Sequence, residues 1–405
     1  MKNLIVGQSG GPTAVINASL YGVVKEALGH QAEIGHVYGM VYGIEGFLQD
    51  KYMDLGQELS AEELELLKLT PAAYLGSCRY KLPEDLSAAF YATVFEKFKE
   101  LDIGYFLYIG GNDSMDTVSK LSRYAAEHGS DIRFIGIPKT IDNDLVQTDH
   151  TPGYGSAAKY VAATVREIVL DASVYRQKAV TIIELMGRHA GWLTAASVLA
   201  RKHKEDNPVL IYLPESDFEL EHFARDLEKA LKKQNSVIVC VSEGISDGAG
   251  TFICEYGDEA MVDNFGHKML TGCGKVLESF VRRRFGVKVR SVELNVSQRC
   301  SGMTASAVDI GEAALAGSEG VKAALAGETG KMIAFRRVGT TPYQMECCTV
   351  DVNQVCNQEQ PVPSEWIAGE ANDIAQAYID YALPLIMGEA DRPMEDGLPK
   401  YLYRR

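Results

Sequence analysis

Strand-like runs rich in valine and isoleucine alternate with stretches of helical periodicity along most of this chain. The first unit has an apolar run over residues 3–6, a glycine loop over 7–12, and a helix that carries Val15, Leu20 and Val23 on one face. Further strands are predicted over residues 105–109, 134–137, 180–184, 209–213, 236–241 and 288–294. Such alternation is typical of parallel sheets covered by helices on both faces. We therefore expect an α/β fold.

The chain is long enough for more than one domain, at 405 residues. We expect two Rossmann-like α/β domains, over residues 1–141 and 142–330, with the active-site cleft between them. Chain crossovers are expected to return part of residues 260–330 to the first domain. Because the periodic pattern weakens beyond about Met332, residues 331–405 are interpreted as a C-terminal extension packed on the body.

Charge and composition exclude several classes of protein. A formal net charge of −15 argues against nucleic-acid binding, which requires an excess of Lys and Arg. The sequence has no run of 18 apolar residues that would span a bilayer, and its N-terminal apolar run is too short for a signal peptide. Eight cysteines without a C-x-x-C pair indicate reduced thiols rather than disulfides or zinc. We expect a cytoplasmic protein that binds neither nucleic acid nor membranes.

Two short stretches that directly follow predicted strands carry most of the chemical information. The first, residues 110–114 (GGNDS), is a glycine turn that lets backbone N–H groups approach phosphate oxygens, with oxygen ligands beside it for a hard cation. The second, residues 138–144 (PKTIDND), supplies an ammonium, a hydroxyl and two carboxylates. Ligands collect at the carboxyl ends of strands in open α/β sheets, so one shared cleft is expected.

Several other polar groups also follow strands or glycine turns, and each has a plainer structural alternative. They are the loop over 7–13, the turn over 75–79 that ends in Arg79, the Met186-Gly187-Arg188 run, and the single residues Glu243, Arg290 and Arg299. Taken singly, the first loop reads equally well as a structural turn, Ser114 as a helix N-cap, and Arg188 as a solvated side chain. Together they provide the parts of a phosphoryl-transfer site.

In this order the motifs resemble the phosphofructokinase family, from Gly7 to about Gly317. The family's glycine loop corresponds to Gly10-Gly11, and its G-G-D-x-S turn to residues 110–114. Its P-x-T-I-D-N-D run corresponds to residues 138–144 and its M-G-R run to 186–188. The substrate glutamate and the late Q-R pair correspond to Glu243 and Gln298-Arg299.

The resemblance implies direct in-line transfer to the 1-hydroxyl of fructose 6-phosphate, with Asp142 as the base. Lys139, Asp113 and Asp144 join Asp142 in the catalytic group, and Mg²⁺ is the expected cofactor, held at Asn112 and Asp113. The implied donor-binding residues are Gly10, Gly11, Arg79, Gly111 and Ser114. The implied sugar-phosphate residues are Thr140, Ile141, Asp142, Met186, Gly187, Arg188, Glu243, Arg299 and, from a neighbouring subunit, Arg290.

Two positions predict the phosphoryl donor. ATP-using members of the family resemble one another in having glycine where this chain has Asp113 and Lys139. A carboxylate at 113 adds bulk and negative charge where an α-phosphate would lie, while Lys139 offers positive charge to a pyrophosphate leaving group. The resemblance is therefore to the pyrophosphate-dependent branch, whose reversible reaction belongs to glycolysis and gluconeogenesis.

Three positions depart from the family pattern. Asn112 replaces an aspartate that contacts the metal, and Val296 replaces a histidine that contacts the substrate phosphate. Tyr21 stands where bacterial ATP enzymes have an effector-binding arginine, with Lys25 one turn later. We accordingly predict an enzyme without nucleotide or phosphoenolpyruvate control.

Three alternatives remain open from the sequence. An ATP-dependent 6-phosphofructokinase would need space for adenine. A catalytically weak regulatory subunit that binds the sugar phosphate would account for Asn112 and Val296. A sugar or lipid kinase would share only the glycine turn. A homodimer or homotetramer is expected.

Overall fold

The computed structural model describes residues 1–256 and 272–404 and contains two open sheets. The strands of the larger sheet are β1 (Lys2–Gln8), β2 (Ile34–Met40), β3 (Tyr52–Asp54), β4 (Ile103–Gly110), β5 (Arg133–Pro138), β10 (Lys331–Thr340) and β11 (Tyr343–Asp351). Those of the smaller sheet are β6 (Ala179–Leu185), β7 (Leu210–Tyr212), β8 (Ser236–Ser242) and β9 (Lys288–Glu293). Two further pairs, β12 (Ile367–Ala368) with β13 (Asp373–Ile374) and β14 (Met394–Glu395) with β15 (Leu398–Pro399), are short hairpin-like ladders.

The helices connect and cover these strands. They are α1 (Ile16–Gly29), α2 (Gly43–Leu48), α3 (Leu55–Glu58), α4 (Ala61–Leu69), α5 (Ala89–Glu100), α6 (Asn112–Glu127), α7 (Tyr154–Ser173), α8 (Trp192–Ala196), α9 (Leu220–Lys233), α10 (Cys273–Phe285), α11 (Ser297–Cys300), α12 (Ala307–Leu325) and α13 (Gln376–Ala382). Each strand predicted from the sequence is present, and α6 begins two residues earlier than Ser114.

Both sheets are covered on two faces, as the expected α/β fold requires. In the larger sheet, with order β11-β10-β5-β4-β1-β2-β3, Leu4 and Val6 pack beneath α1 and α12, while Ile5 faces the aromatic layer of α5 and α6. Helices α1 and α12 approach so closely that a Cβ on Gly22 would lie 1.9 Å from the Ala314 carbonyl oxygen. The α/β fold class predicted from the sequence is confirmed.

The smaller sheet, with order β7-β8-β6-β9, is parallel throughout. One face packs on α7, α8 and α13, where Tyr154, Trp192 and Tyr378 are fully buried. The other face packs on α9 and α10. Because β9 lies at the edge of the sheet, one side of this strand has no neighbouring strand in the described part of the chain.

The C-terminal part of the chain differs from its interpretation as a layer packed on the body. Strand β10 pairs in parallel with β5 and antiparallel with β11, so residues 331–351 belong to the larger sheet itself. Helix α13 then packs against the smaller sheet, and α12 returns to the first half of the chain. The boundaries 1–141 and 142–330 stay a prediction, and residues 260–271 lie outside the described ranges.

Within residues 1–256 and 272–404, no helix is long and apolar enough to cross a bilayer. All eight cysteines lie in those ranges, and all carry free thiols.

Candidate active site

The loops that follow β1, β4 and β5 meet at one edge of the larger sheet. The three strands are adjacent and parallel, so their carboxyl ends coincide, with Gly7 opposite Tyr108 and Gly110 opposite Pro138. Two backbone hydrogen bonds then tie the loops together, from Ser9 N to Ile109 O at 2.9 Å and from Lys139 N to Gly110 O at 2.9 Å. The predicted convergence of the glycine turns therefore occurs.

The loop after β1 contacts the turn over residues 75–79. Gly10 N donates to the Cys78 carbonyl at 3.1 Å, and the Ser77 hydroxyl donates to the Gly10 carbonyl at 2.6 Å. Gly10 has a φ of 76°, a left-handed conformation that favours glycine. A Cβ on Gly11 would lie 3.0 Å from an Nη atom of Arg299, so glycine also allows that guanidinium to approach the backbone.

Two buried amides that the sequence analysis missed hold this turn in place. Leu75 N donates to Gln8 Oε1 at 2.9 Å, and Tyr74 N donates to Asn17 Oδ1 at 2.8 Å. Gln8 Nε2 also donates to Asn17 Oδ1 at 2.9 Å, and both side chains are fully buried. The sequence did offer a signal for both, because Gln8 is a polar residue at the end of an apolar strand and Asn17 lies on the apolar face of a helix.

Lys139 lies at the centre of the site and is 3% exposed. Its Nζ donates to the Gly11 carbonyl oxygen at 2.6 Å. Burial lowers the pKa of this ammonium to about 8, because the charged form loses hydration. The charge of Asp142 opposes that shift, whereas the positive charges of Arg79 and Arg299 add to it. A buried lysine that is still mainly protonated at neutral pH therefore lies between the glycine loop and the acidic segment.

Asp142 is oriented by its neighbour Thr140. Asp142 N donates to the threonine hydroxyl at 3.1 Å, and that hydroxyl donates to Asp142 Oδ2 at 3.4 Å. Burial raises the pKa of the Asp142 carboxyl, while Lys139, Thr140 and Arg299 favour its ionised form. A carboxylate with a raised pKa and an adjacent cation suits proton abstraction.

Asp144 completes the acidic segment. Burial, and then the charge of Asp142, raise the pKa of its carboxyl to about 7. Between the two carboxylates, Asn143 has a φ of 56° and is held by side-chain bonds, donating to Tyr381 Oη at 2.8 Å and accepting from Thr151 N at 3.0 Å. These bonds tie the loop to α13 and to the segment that leads into α7.

The glycine turn after β4 leads directly into α6. Gly111 is the N-cap and Ser114 lies in the first turn, so the alternative that Ser114 is the N-cap is wrong. Asp113 is exposed in that turn, whereas Ser114 is buried against Gly110. Asn112 Nδ2 donates to the Gln358 carbonyl at 2.5 Å, and its Oδ1 accepts from the backbone N–H of Asn357.

The second half of the molecule contributes residues that follow β6 and β8. Gly187, with a φ of 139°, donates its N–H to Glu243 Oε1 at 3.3 Å. Gly244 must be glycine here, because a Cβ would lie 1.9 Å from the Arg188 carbonyl oxygen. Burial, and then the charge of Asp142, raise the pKa of Glu243 to about 7.

The segment after β9 joins the two halves. Gln298, which is 1% exposed, accepts a hydrogen bond from Met186 N at 3.3 Å. Its neighbour Arg299 reaches Gly11 and influences the pKa of both Lys139 and Asp142. Arg299 is therefore positioned to contact ligands on both sides of the cleft.

Three positions that the sequence analysis singled out contribute no side chain to the cleft of their own chain. Arg290 is exposed near the start of β9, opposite Thr181, and does not reach the cleft of its own chain. The Ile141 side chain packs in the core, so only its backbone is available to a ligand. Val296 is 50% exposed and offers no polar contact in place of histidine.

Within residues 1–256 and 272–404, no cluster of three or more His, Cys, Asp or Glu side chains has metal-binding geometry. This is compatible with Mg²⁺, which usually binds through one or two carboxylates together with waters and substrate phosphates. The mutual repulsion of Asp142 and Asp144, visible in the raised pKa of Asp144, would be relieved by a nearby cation.

Residues 3–324 match the family described as Phosphofructokinase. The pyrophosphate–fructose 6-phosphate 1-phosphotransferase of Methylococcus capsulatus is 39% identical over 404 residues, covering 99% of this chain and 95% of that protein. A sulfofructose kinase of Alkalicoccus urumqiensis is 33% identical, with 90% and 94% covered. The crystal structure of a pyrophosphate-dependent phosphofructokinase from Nitrosospira multiformis is 36% identical, covers 99% of this chain and 96% of that one, and has a TM-score of 0.90.

Proposed function

This chain belongs to the phosphofructokinase family, and we propose that its cleft transfers a phosphoryl group from pyrophosphate to the 1-hydroxyl of fructose 6-phosphate. The products are fructose 1,6-bisphosphate and phosphate. The observation that carries the donor assignment is the position of Lys139, whose amine is bonded to the glycine loop and lies beside the acidic segment.

Asp142 is the general base of this mechanism. Its carboxylate takes the proton of the sugar 1-hydroxyl as the hydroxyl oxygen bonds to the near phosphorus of pyrophosphate. The bond from that phosphorus to the bridging oxygen breaks, and the second phosphate leaves with its electron pair. Thr140 fixes the carboxylate, since it both accepts from Asp142 N and donates to Oδ2.

Lys139 and Asp113 select the donor. The Lys139 ammonium offsets the charge that develops on the leaving phosphate, and buried charges act more strongly than solvated ones. Asp113 projects from the exposed first turn of α6, where its carboxylate opposes a longer polyphosphate chain. Gly10, Gly11, Gly111, Ser114 and Arg79 surround the same region.

Mg²⁺ is the proposed cofactor. Mg²⁺ needs only one or two carboxylates beside waters and substrate phosphates, which Asp113 or the Asp142–Asp144 pair would supply, and the repulsion within that pair favours a cation. When bound, the ion would neutralise phosphate charge during transfer. The base, the ammonium and the glycine loops are nevertheless provided by the chain itself.

Fructose 6-phosphate binds on the opposite side of the cleft, to Met186, Gly187, Arg188, Glu243 and Arg299. Arg290 joins them from a second copy of the chain, because in its own chain it is exposed on the edge strand β9. This requires a homodimer or homotetramer. Tyr21, at the position of the family's effector arginine, and Lys25 both donate hydrogen bonds to Glu65. The Lys25 charge is thus paired with a carboxylate, in line with an enzyme that lacks effector control.

The test is a steady-state assay of the purified chain with fructose 6-phosphate and each donor in turn, at fixed Mg²⁺. We expect pyrophosphate to be used far better than ATP, and a preference for ATP would refute the donor assignment. A chain that binds fructose 6-phosphate without turnover would instead be the regulatory subunit of the alternative hypothesis. Sulfofructose is included as a second acceptor, because one relative bears that substrate in its name.

A further inference from the structure

The C-terminal segment over residues 357–362, called the strap below, crosses the cleft from one half of the molecule to the other. It follows β11 of the larger sheet and precedes α13, which packs on the smaller one. Its backbone is bonded at three points along its length to residues that border the active site. This makes it the part of the chain best placed to fix the two halves relative to each other.

One anchor of the strap is the side chain of Asn112. Its Nδ2 donates to the Gln358 carbonyl at 2.5 Å, and its Oδ1 accepts from Asn357 N. Both ends of the amide are therefore used, since its NH₂ group donates to a backbone C=O while its oxygen accepts from a backbone N–H. The position that the family resemblance assigns to metal binding has a different partner here.

The middle of the strap is bonded to the catalytic loop. Gln360 N donates to the Asp144 carbonyl at 2.7 Å, and the Gln360 carbonyl accepts from Trp192 Nε1 at 2.8 Å. Between these anchors, the negative charge of Glu359 raises the pKa of both Asp142 and Asp144, which supports its proximity to them.

The far anchor is a carboxylate of the second half. Val362, which is 2% exposed, donates its N–H to Glu215 Oε1 at 2.9 Å, and Gly191 N donates to the same oxygen at 2.8 Å. Along its length the strap therefore contacts the start of α6, then the loop that carries Asp144, and finally the loop after β7.

We propose that Asn112 is a positioning residue that fastens the strap and, through it, holds the loop of Asp142 and Asp144 in its catalytic geometry. This rests on the proposed function of the cleft. Asn112→Ala removes both hydrogen bonds, and Asn112→Asp removes the donor and sets a carboxylate against the Gln358 carbonyl. Either change loosens the strap, although Asn112 itself lies at the partly exposed start of a helix.

The experiment measures the strap and catalysis separately. The chain has two tryptophans, Trp192 and Trp366, whose rings lie 5.9 Å apart beside the strap, so intrinsic fluorescence reports its state. Hydrogen exchange of the peptide amides over residues 357–362 gives a second reading. For both Asn112 variants we expect faster exchange, a shifted emission, and a fall in kcat of at least about tenfold. Asn235→Asp, in an exposed turn before β8, is the matched control and should change none of these.

The alternative role as a metal ligand predicts the opposite sign. If Asn112 binds Mg²⁺, then Asn112→Asp should lower the Mg²⁺ concentration that gives half-maximal rate and leave exchange over the strap unchanged. That result, or Asn112→Ala with wild-type exchange, emission and kcat, would overturn the proposal. If the wild-type chain fails to use pyrophosphate, the proposed function fails, while exchange and emission still test the strap.

Discussion

The amine of Lys139 donates a hydrogen bond of 2.6 Å to the carbonyl oxygen of Gly11, joining the glycine loop after β1 to the segment that carries Asp142, the proposed base. The two residues are far apart in the sequence and come from strands separated by β4. The charge of Lys139, the proposed donor-binding group, also favours the ionised form of Asp142.

Asp142→Asn should reduce kcat by about a hundredfold to ten-thousandfold, because an amide cannot accept the hydroxyl proton. The dissociation constant of fructose 6-phosphate should change little, since the side chain is nearly isosteric. Calorimetric titration with the sugar phosphate and initial-rate kinetics check the two parts. Wild-type turnover in this variant would contradict the assignment of the base.

The KM for pyrophosphate should rise as the pH increases through about 8. Burial lowers the pKa of Lys139 to about 8, so its ammonium is present below that pH and is lost above it. Lys139→Arg is the control, because a guanidinium stays charged across this range. Titration of pyrophosphate itself affects both proteins alike, and an identical rise in both would exclude Lys139 as the cause.

Replacing Asp113 and Lys139 together by glycine should weaken pyrophosphate use, by about a hundredfold in kcat/KM, and open room for a nucleotide. The ratio of kcat/KM for the two donors is the quantity to measure, with each single variant beside the double one. An unchanged preference for pyrophosphate would show that neither residue chooses the donor.

Arg404→Ala should raise the KM for pyrophosphate several-fold without changing that for fructose 6-phosphate. The Arg404 guanidinium donates to the Leu75 carbonyl at 2.6 Å and lies 4.8 Å from the ring centroid of Tyr42, so it fastens the turn that contacts Gly10. Arg336→Ala, at an exposed surface pair, is the control. Equal changes in both KM values would point to a general loss of structure instead.

Stability should fall as the pH rises from about 6.5 to about 9, because of the buried His150. Its ring bonds to Asp149 and Glu312, each at 2.8 Å, and those partners raise its pKa to about 9 despite burial. A pKa raised in the folded state gives stability that is complete below the unfolded value and lost through the folded one. In thermal unfolding, His150→Gln should have a lower melting temperature than the wild type at pH 6, and its melting temperature should change less across this pH window. The exposed His36→Gln should follow the wild type.

The sequence alone determined the α/β class and the loops that carry the chemistry. Strands such as 180–184 and 236–241 are short, apolar and bounded by helices, and adjacent parallel strands bring the loops at their carboxyl ends to one edge of the sheet. The turns at Gly10 and Gly187 could likewise be inferred, since glycine in a sequence marks backbone that adopts a positive φ, as both residues do. These are local properties, and local properties are readable along the chain.

Only the tertiary structure decided which groups meet across the cleft. Asn112 and Gln358 are 246 positions apart, and no periodicity or motif links an amide at a helix start to a backbone carbonyl so distant. The pairing of β10 with β5 could not be read from the sequence either. Only the first half of β10 is buried, and such a mixed pattern is also typical of a segment on the surface. The sequence indicated candidate site residues by their type and spacing. Their partners, their burial and hence their pKa values depend on long-range packing that no single segment encodes.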